Sequence, residues 1–363
     1  MQHIRAILDF SNKNRFLSFF LFSCFFSYST FAQIGGVGSF QFVDLPINAR
    51  QVGLGGVNIT SSHQDPTMFT SNPALLSDST DRFISFNHHS YHAGIQNNQL
   101  LFTADFNKIG TWGIAIQQLN YGEIDGYDEN GEATGSFKSN DFMMILSHSQ
   151  QLGIFKLGSN AKIIQSNIAG YQASGLLFDL GGVFSHPTKD LTIGLTFRNI
   201  GFAFQNYLPN QSFSMPFDAL IGITFKPERM PFRLSFTARE LHRFLQIAYD
   251  DPNDSDSDDG FGQPTTNDIS FADKLSRHFV LGGEVVFSKN FNLRVGYNFL
   301  QRKELILEQR RGLAGFSFGA MLRVKKIEIA YSRSSQFVSE GTNSITITAN
   351  TKSLIKKKKQ IIN

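Results

Sequence analysis

Apolar and polar side chains alternate with a period of two along most of this chain from residue 82 onward. Phe291, Leu293 and Val295, for example, alternate with Asn292 and Arg294. Successive side chains of a β-strand point to opposite faces, so the pattern predicts strands with one apolar and one polar face. One segment, 231–249, is long enough to hold two strands. The fourteen segments with this pattern are approximately 82–91, 99–107, 111–120, 140–150, 154–168, 174–186, 190–199, 217–226, 231–249, 276–288, 291–300, 312–324, 326–333 and 343–353.

The connections between these segments alternate in length. Tight turns are predicted at 108–110, 151–153, 187–189, 227–230, 289–290 and 325. Longer loops are predicted at 92–98, 121–139, 200–216, 250–275, 301–311 and 334–342, with a shorter one at 169–173. Outer-membrane barrels combine short periplasmic turns, longer outside loops and an even number of strands. The pattern therefore predicts that both chain ends lie on the periplasmic side.

Aromatic side chains flank the tight turns on the apolar face of the predicted strands. They are Phe106, Trp112, Phe155, Phe184, Phe225, Phe232, Phe287 and Phe291. A membrane interface favours aromatic rings at one depth because they tolerate the boundary between polar and apolar surroundings. The sequence thus predicts an all-β fold, a transmembrane outer-membrane β-barrel of about fourteen antiparallel strands with an N-terminal plug-like segment. A secreted soluble β-protein is the alternative, because alternation alone is compatible with both.

The first 32 residues have the features of a secretory signal peptide. A basic start precedes the apolar run 16–26, and residues 30–32 form a small-x-small cleavage site. Cys24, the only cysteine, lies within this run, and a lipoprotein signal ending there is the alternative. No later run of 18 apolar residues predicts a spanning helix. The predicted division is a signal peptide at 1–32, a plug or entry segment at 33–81, a barrel at 82–353 and a basic periplasmic tail at 354–363.

The residues do not predict an enzyme, a cofactor or a metal centre. In a strand, His88 and His92 share one face and His89 lies on the other, and the spacing suggests no further convergent ligand. The acidic run 250–260 lacks the glycine and glutamate positions of an EF-hand, which favours a solvated outside loop over a calcium site. The acids of loop 121–139 surround a tight-turn Asn-Gly dipeptide, so a loop tip is favoured over acid–base catalysis. The formal net charge of +3 gives no support to nucleic-acid binding.

The stretch 46–76 is rich in Gly, Ala and small polar residues and follows neither the strand nor the helix period. With its Asn-Ala-Arg, Gly-Gly, Asp-Pro and Asn-Pro-Ala elements, the chain resembles the FadL-like outer-membrane barrels, in particular the PorV/PorQ group of the type IX secretion system. The hairpin sequence with Tyr121, Asp125, Tyr127 and Asp128 resembles the PorQ branch of that group. The residues of the plug that match are Arg50, Gly55, Gly56, Asp65, Asn72, Pro73 and Ala74.

The resemblance implies a non-enzymatic barrel with its N-terminal segment in or near the lumen. It also implies partners, namely a PorZ-like surface protein and the type IX attachment complex, besides the lipid of the outer membrane. The hairpin residues Tyr121, Asp125, Tyr127 and Asp128 are then candidates for the partner-binding loop. The alternative function is a FadL-like transporter of hydrophobic solutes. The predicted inward arginines favour a plugged barrel or an anionic passage over a fatty-acid tunnel. They are Arg198, Arg233, Arg239, Arg294 and Arg323.

Overall fold

The computed structural model describes residues 40–61, 65–208, 214–245, 247, 270–305, 312–336 and 341–352. The predicted signal peptide, the acidic run 250–260 and the basic tail 354–363 lie outside these residues. None of the helices in the described ranges is long and apolar enough to cross a membrane.

Fourteen antiparallel strands form one closed barrel, in which each strand pairs with its neighbours in sequence and β1 pairs with β14. The predicted fourteen-stranded all-β barrel is therefore confirmed. The strands are β1 (Phe83–Ser90), β2 (Gln96–Asp105), β3 (Thr111–Tyr127), β4 (Ala133–Leu152), β5 (Phe155–Ile168), β6 (Tyr171–Ser185), β7 (Asp190–Gln205), β8 (Asp218–Lys226), β9 (Phe232–Ala238), β10 (Phe279–Ser288), β11 (Phe291–Asn298), β12 (Phe316–Val324), β13 (Ile327–Ser335) and β14 (Gly341–Asn350).

Helical elements among the described residues are short and lie before β1 or in the connections between strands. The α-helices are α1 (Ala49–Gly53), α2 (Phe271–Ser276) and α3 (Phe299–Leu305). The 3-10 helices are Gln41–Asp44, Pro66–Thr70, Pro73–Leu75, Asp78–Thr80, His92–Gly94, Asn107–Ile109 and Leu241–Arg243.

The outer face of the barrel is apolar and the inner face is closely packed. On β11, Leu293 and Val295 are 40% and 43% exposed, whereas the alternating Asn292 and Arg294 are buried. Along this strand the apolar side chains therefore face outward, the reverse of a soluble barrel, and they match the hydrocarbon of a bilayer. Exposed aromatic side chains beside the tight turns are Phe106, Phe155, Phe225, Phe232, Phe287 and Phe291.

Two segments differ most from the sequence prediction, beside smaller shifts such as the extension of β7 to Gln205 within the predicted loop 200–216. Most of the predicted loop 121–139 is β-structure, because β3 and β4 continue as a two-stranded ribbon. The outermost pair between β2 and β3 is Gln96 with Asn120, and the outermost pair between β4 and β5 is Asn140 with Asn167. Beyond these pairs the tip of the ribbon has no strand neighbour on either side. We call residues 121–139 the free hairpin. In the described part of the segment 231–249, β9 ends at Ala238 and is followed by a 3-10 helix, because Glu240 adopts a left-handed conformation and its N–H donates to Asp218.

The described residues between 40 and 80, namely 40–61 and 65–80, lie within the lumen and form no strand. Four of the short helical turns in this segment are capped by Asn48, Asp65, Asn72 and Ser77, whose side chains accept backbone N–H groups. The first turn, Gln41–Asp44, has no side-chain cap. Such caps satisfy donors that a strand ladder would otherwise pair. We call this segment the plug.

The plug runs from one mouth of the barrel to the other. It starts at the mouth with the longer loops, where the ring of Phe40 stacks on Tyr207 with 6.2 Å between centroids. It ends at the mouth with the tight turns, where Thr103 of β2 donates to the Thr80 carbonyl. We call these the loop end and the turn end. Residues 1–39 and 353–363 lie outside the described part, so the location of both chain ends on the periplasmic side stays a prediction.

Candidate functional site

An ion cluster inside the barrel joins the plug to three neighbouring strands. Glu284 of β10 lies directly opposite Arg233 of β9 and Arg294 of β11. It accepts hydrogen bonds from Arg233 Nη1 and Arg294 Nε at 2.8 Å, and from Arg50 Nη2 of the plug at 3.3 Å. Arg50 also lies 3.5 Å from Asp65 of the plug. These five side chains are buried, so each charge depends on the others for compensation.

The first turn of the plug docks on an irregular point of the barrel wall. Between β6 and β7 the register shifts, so that Arg198 and Asn199 both turn inward. Arg198 lies 3.2 Å from Asp44 of the plug and 3.3 Å from Asp218 of β8. Asn199 donates to Asp44 at 2.9 Å and is held in a left-handed conformation. The bulge therefore provides two side chains for the plug at a place where a regular strand would provide one.

The Asn-Pro-Ala element of the plug packs against glycines on the inner face of the wall. Asn72 accepts the N–H of Ala74 at 3.0 Å and donates to the Ile59 carbonyl at 3.0 Å. A Cβ on Gly181 of β6 would overlap the side chain of Asn72, and a Cβ on Gly158 of β5 would lie 2.5 Å from the Pro73 carbonyl carbon. The wall thus has glycine where this element passes closest.

Gly55 and Gly56 form the turn after α1 and have φ values of 94° and 85°. These values are in the left-handed region that glycine adopts without strain. The Gly55 N–H donates to Ser317 at 3.0 Å, and its carbonyl accepts from Asn298 at 3.1 Å. All seven plug residues singled out by the sequence, from Arg50 to Ala74, lie in the plug inside the barrel. The wall contacts described above involve Arg50, Gly55, Asn72 and Pro73.

The four hairpin candidates do not form one cluster. Tyr121 turns toward the lumen and donates to Asp141 at 2.6 Å. Asp125 and Tyr127 are exposed on the free hairpin. Asp128 accepts the N–H groups of Glu132 and Asn130 at 2.8 and 2.9 Å, and these hydrogen bonds hold the pKa of its carboxyl below the usual value.

The lumen also has an apolar part that the sequence prediction missed. On β2 to β6 the inner face bears Leu101, Leu119, Met143, Ile145, Ile164 and Leu177, packed against Phe40, Phe42, Val43 and Phe69 of the plug. We call this set the apolar compartment. The sequence signal was present in the pairs Leu100-Leu101, Ile163-Ile164 and Leu176-Leu177, where two consecutive apolar residues make both faces of a strand apolar.

The predicted inward arginines and the histidines have different surroundings. Arg198, Arg233 and Arg294 are buried in the lumen, whereas Arg239 and Arg323 are half-buried near the two mouths. His88 bonds Asn98, His92 bonds Gln336, and His89 is buried on the opposite face of β1. In the described ranges, no group of three or more His, Cys, Asp and Glu side chains is placed to hold a metal ion.

A closed barrel with an apolar outer face and a lumen filled by its own chain is the architecture of an outer-membrane β-barrel. Similar solved structures include the Pseudomonas putida toluene transporter TodX. It is 12% identical to this chain, the match covers 84% of this chain and 96% of TodX, and the TM-score is 0.49. A Pseudomonas aeruginosa FadL homologue has 12% identity, 84% and 99% coverage and a TM-score of 0.49. The CymD monoaromatic hydrocarbon channel has 12% identity, 84% and 97% coverage and a TM-score of 0.47. No protein-family model and no curated protein match the chain.

Proposed function

We propose that this chain is a PorQ-type component of the type IX secretion system, a non-enzymatic outer-membrane barrel that anchors a PorZ-like surface protein. The observation that carries the proposal is the fixed plug. Arg50, one of the residues on which the resemblance rests, joins the plug to the barrel wall through the buried carboxylate of Glu284. Asp65, another of these residues, pairs with Arg50 within the plug. A barrel whose lumen is filled and bound to its wall suits a rigid platform better than a passage.

In this proposal the loop end faces the cell exterior and the free hairpin receives the partner. The hairpin extends beyond its neighbouring strands, so both of its edges present unpaired backbone groups. Such edges are able to pair with a strand of another protein. Tyr127 at its tip is 65% exposed and supplies an apolar anchor. The exposed acids of the free hairpin favour a partner segment with basic side chains. They are Glu123, Asp125, Asp128, Glu129 and Glu132.

The test is co-purification of the tagged protein from outer membranes in mild detergent, followed by mass spectrometry. We expect a secreted surface protein at stoichiometric amount with the unaltered chain. The triple variant Asp125→Asn, Glu129→Gln and Glu132→Gln should release it. The matched control, Asp78→Asn with Glu228→Gln, removes exposed acids at the opposite mouth and should retain it. Recovery of the unaltered chain without a protein partner would contradict the proposal.

A second candidate function is transport of a hydrophobic solute, and the apolar compartment is the observation that favours it. Its wall residues lie under Tyr91, Tyr121 and Tyr207, which are partly buried and pack against it from the loop end. Phe42 and Phe69 occupy the compartment, so transport would require the plug to move. Recovery of the purified barrel with bound fatty acid and no protein partner would favour this candidate.

A further inference from the structure

Among the described residues, exposed cations predominate at one mouth of the barrel and exposed acids at the other. In the described part of the chain, eight exposed cations lie at the turn end, against two exposed acids, Asp78 and Glu228. At the loop end, six exposed acids face three exposed cations, Lys138, Arg243 and Arg333. The turn-end cations are Arg82, Lys108, Lys189, Arg229, Lys289, Lys325, Lys326 and Lys352.

These cations are spread around the circumference of the barrel. The turns before β3, β7, β9, β11 and β13 each carry at least one of them, and the turn before β5 is the exception. Because the strands follow one another around the barrel, this distribution forms a ring and not a patch on one side. A ring of this kind matches a planar surface that surrounds the barrel.

Exposed apolar side chains place the ring at the depth of a membrane surface. Ile109 and Met230, which lie in turns, are 65% and 56% exposed, and Leu152 and Val324 at strand ends are 54% and 52% exposed. Side chains of this kind at the turns keep the turn end within the membrane interface, not in the water beyond it. The cations of the same turns then lie among lipid headgroups.

We propose that the turn end is a docking surface for the anionic headgroups of phospholipids in the adjoining leaflet. Clustered lysine and arginine side chains at a membrane surface attract anionic lipid, and the attraction falls off within a Debye length. The acidic loop end repels the same lipids. The charge division therefore gives the barrel a lipid preference at one mouth that it lacks at the other.

The experiment measures which lipids the purified full-length mature protein retains from bilayer discs containing equal amounts of phosphatidylglycerol and phosphatidylcholine. Native mass spectrometry counts the bound lipids. We expect phosphatidylglycerol to be enriched in the unaltered protein. The double variant Lys108→Gln with Lys289→Gln should lower the enrichment by roughly fivefold per charge removed at low salt. The matched control is Lys138→Gln with Arg333→Gln at the loop end, which should leave it unchanged.

Three results would overturn the proposal. One is equal retention of the two lipids by the unaltered protein, and another is an equal loss in both variants. The third is binding of peptidoglycan fragments that falls in the turn-end variant while lipid retention stays constant. If the turn-end variant does not fold, lipid retention by the unaltered protein is measured at about 1 M salt. The Debye length is then ~3 Å, so the enrichment of phosphatidylglycerol must disappear, and its persistence would overturn the proposal.

Discussion

At the scale of single residues, three arginines of the lumen share one carboxylate. Glu284 accepts from three guanidinium groups. We expect Glu284→Gln to lower the free energy of unfolding by about 3–5 kcal/mol, because it leaves buried arginines without their shared partner. Urea titration in detergent micelles, followed by the fluorescence of Trp112, the only tryptophan, measures this. Glu129→Gln on the free hairpin is the control. If both variants change the free energy of unfolding by the same small amount, the cluster around Glu284 does not stabilise the barrel.

Two adjacent glycines of β6 provide a matched test of the fit between plug and wall. A Cβ on Gly181 would overlap Asn72 of the plug, whereas a Cβ on Gly182 would meet Leu157 at an ordinary distance of 3.5 Å. We expect Gly181→Ala to cost about 1–3 kcal/mol through overpacking and to expose the plug to hydrogen exchange. Gly182→Ala should leave exchange in the plug unchanged. Equal protection of the plug in both variants would contradict this fit.

At the scale of elements, the apolar face of the strands determines membrane insertion. Leu293 lies within β11 on the outer face and is 40% exposed. Because Leu293 lies only two residues from Phe291 at the turn end, we expect Leu293→Arg to cost about 1–2 kcal/mol, between the values for a cation at the membrane midplane and at the interface. Refolding into vesicles at increasing urea measures the loss. Asn290→Arg in the exposed turn is the control, and a neutral Leu293→Arg would mean that this face does not contact lipid.

The strand pattern was predictable from sequence because a period of two is a local property of the chain. The strand pairing within the free hairpin was missed because Gly126, Asn130 and Gly131 suggest a loop, although Gly126 pairs with Gly135. The end of β9 was missed because Arg239 continues the alternation, while the left-handed Glu240 and its bond to Asp218 depend on another strand.

The sites show the same division between local and long-range causes. The Asn72 cap was recognisable from neighbouring residues, since its side chain bonds the N–H of Ala74. The contact of Arg50 with the pair Glu284–Arg294 was not, because Arg50 and Glu284 are 234 residues apart. Long-range register decides such contacts, and the sequence alone supplied only the expectation that some arginines point inward.

At the scale of the whole molecule, the plug is the feature on which the two candidate functions differ. An anchor works with the plug fixed across the lumen, because its partner binds at the loop end. A transporter requires Phe42 and Phe69 to leave the apolar compartment that they fill. The many contacts between plug and wall favour the fixed state, and locking the plug in that state separates the two functions.

A covalent lock is available where α1 touches β13. A Cβ on Gly53 would lie 2.8 Å from Ser332 Oγ, so cysteines at both positions come within the Cβ separation of about 3.5–4.5 Å that a disulfide spans. We expect the oxidised Gly53→Cys/Ser332→Cys variant to co-purify with its surface partner as the unaltered chain does. Each single cysteine variant is the control for packing changes. Loss of the partner on oxidation, restored by reductant, would contradict a passive anchor, and reversible loss of hydrophobic solute uptake would favour the transporter.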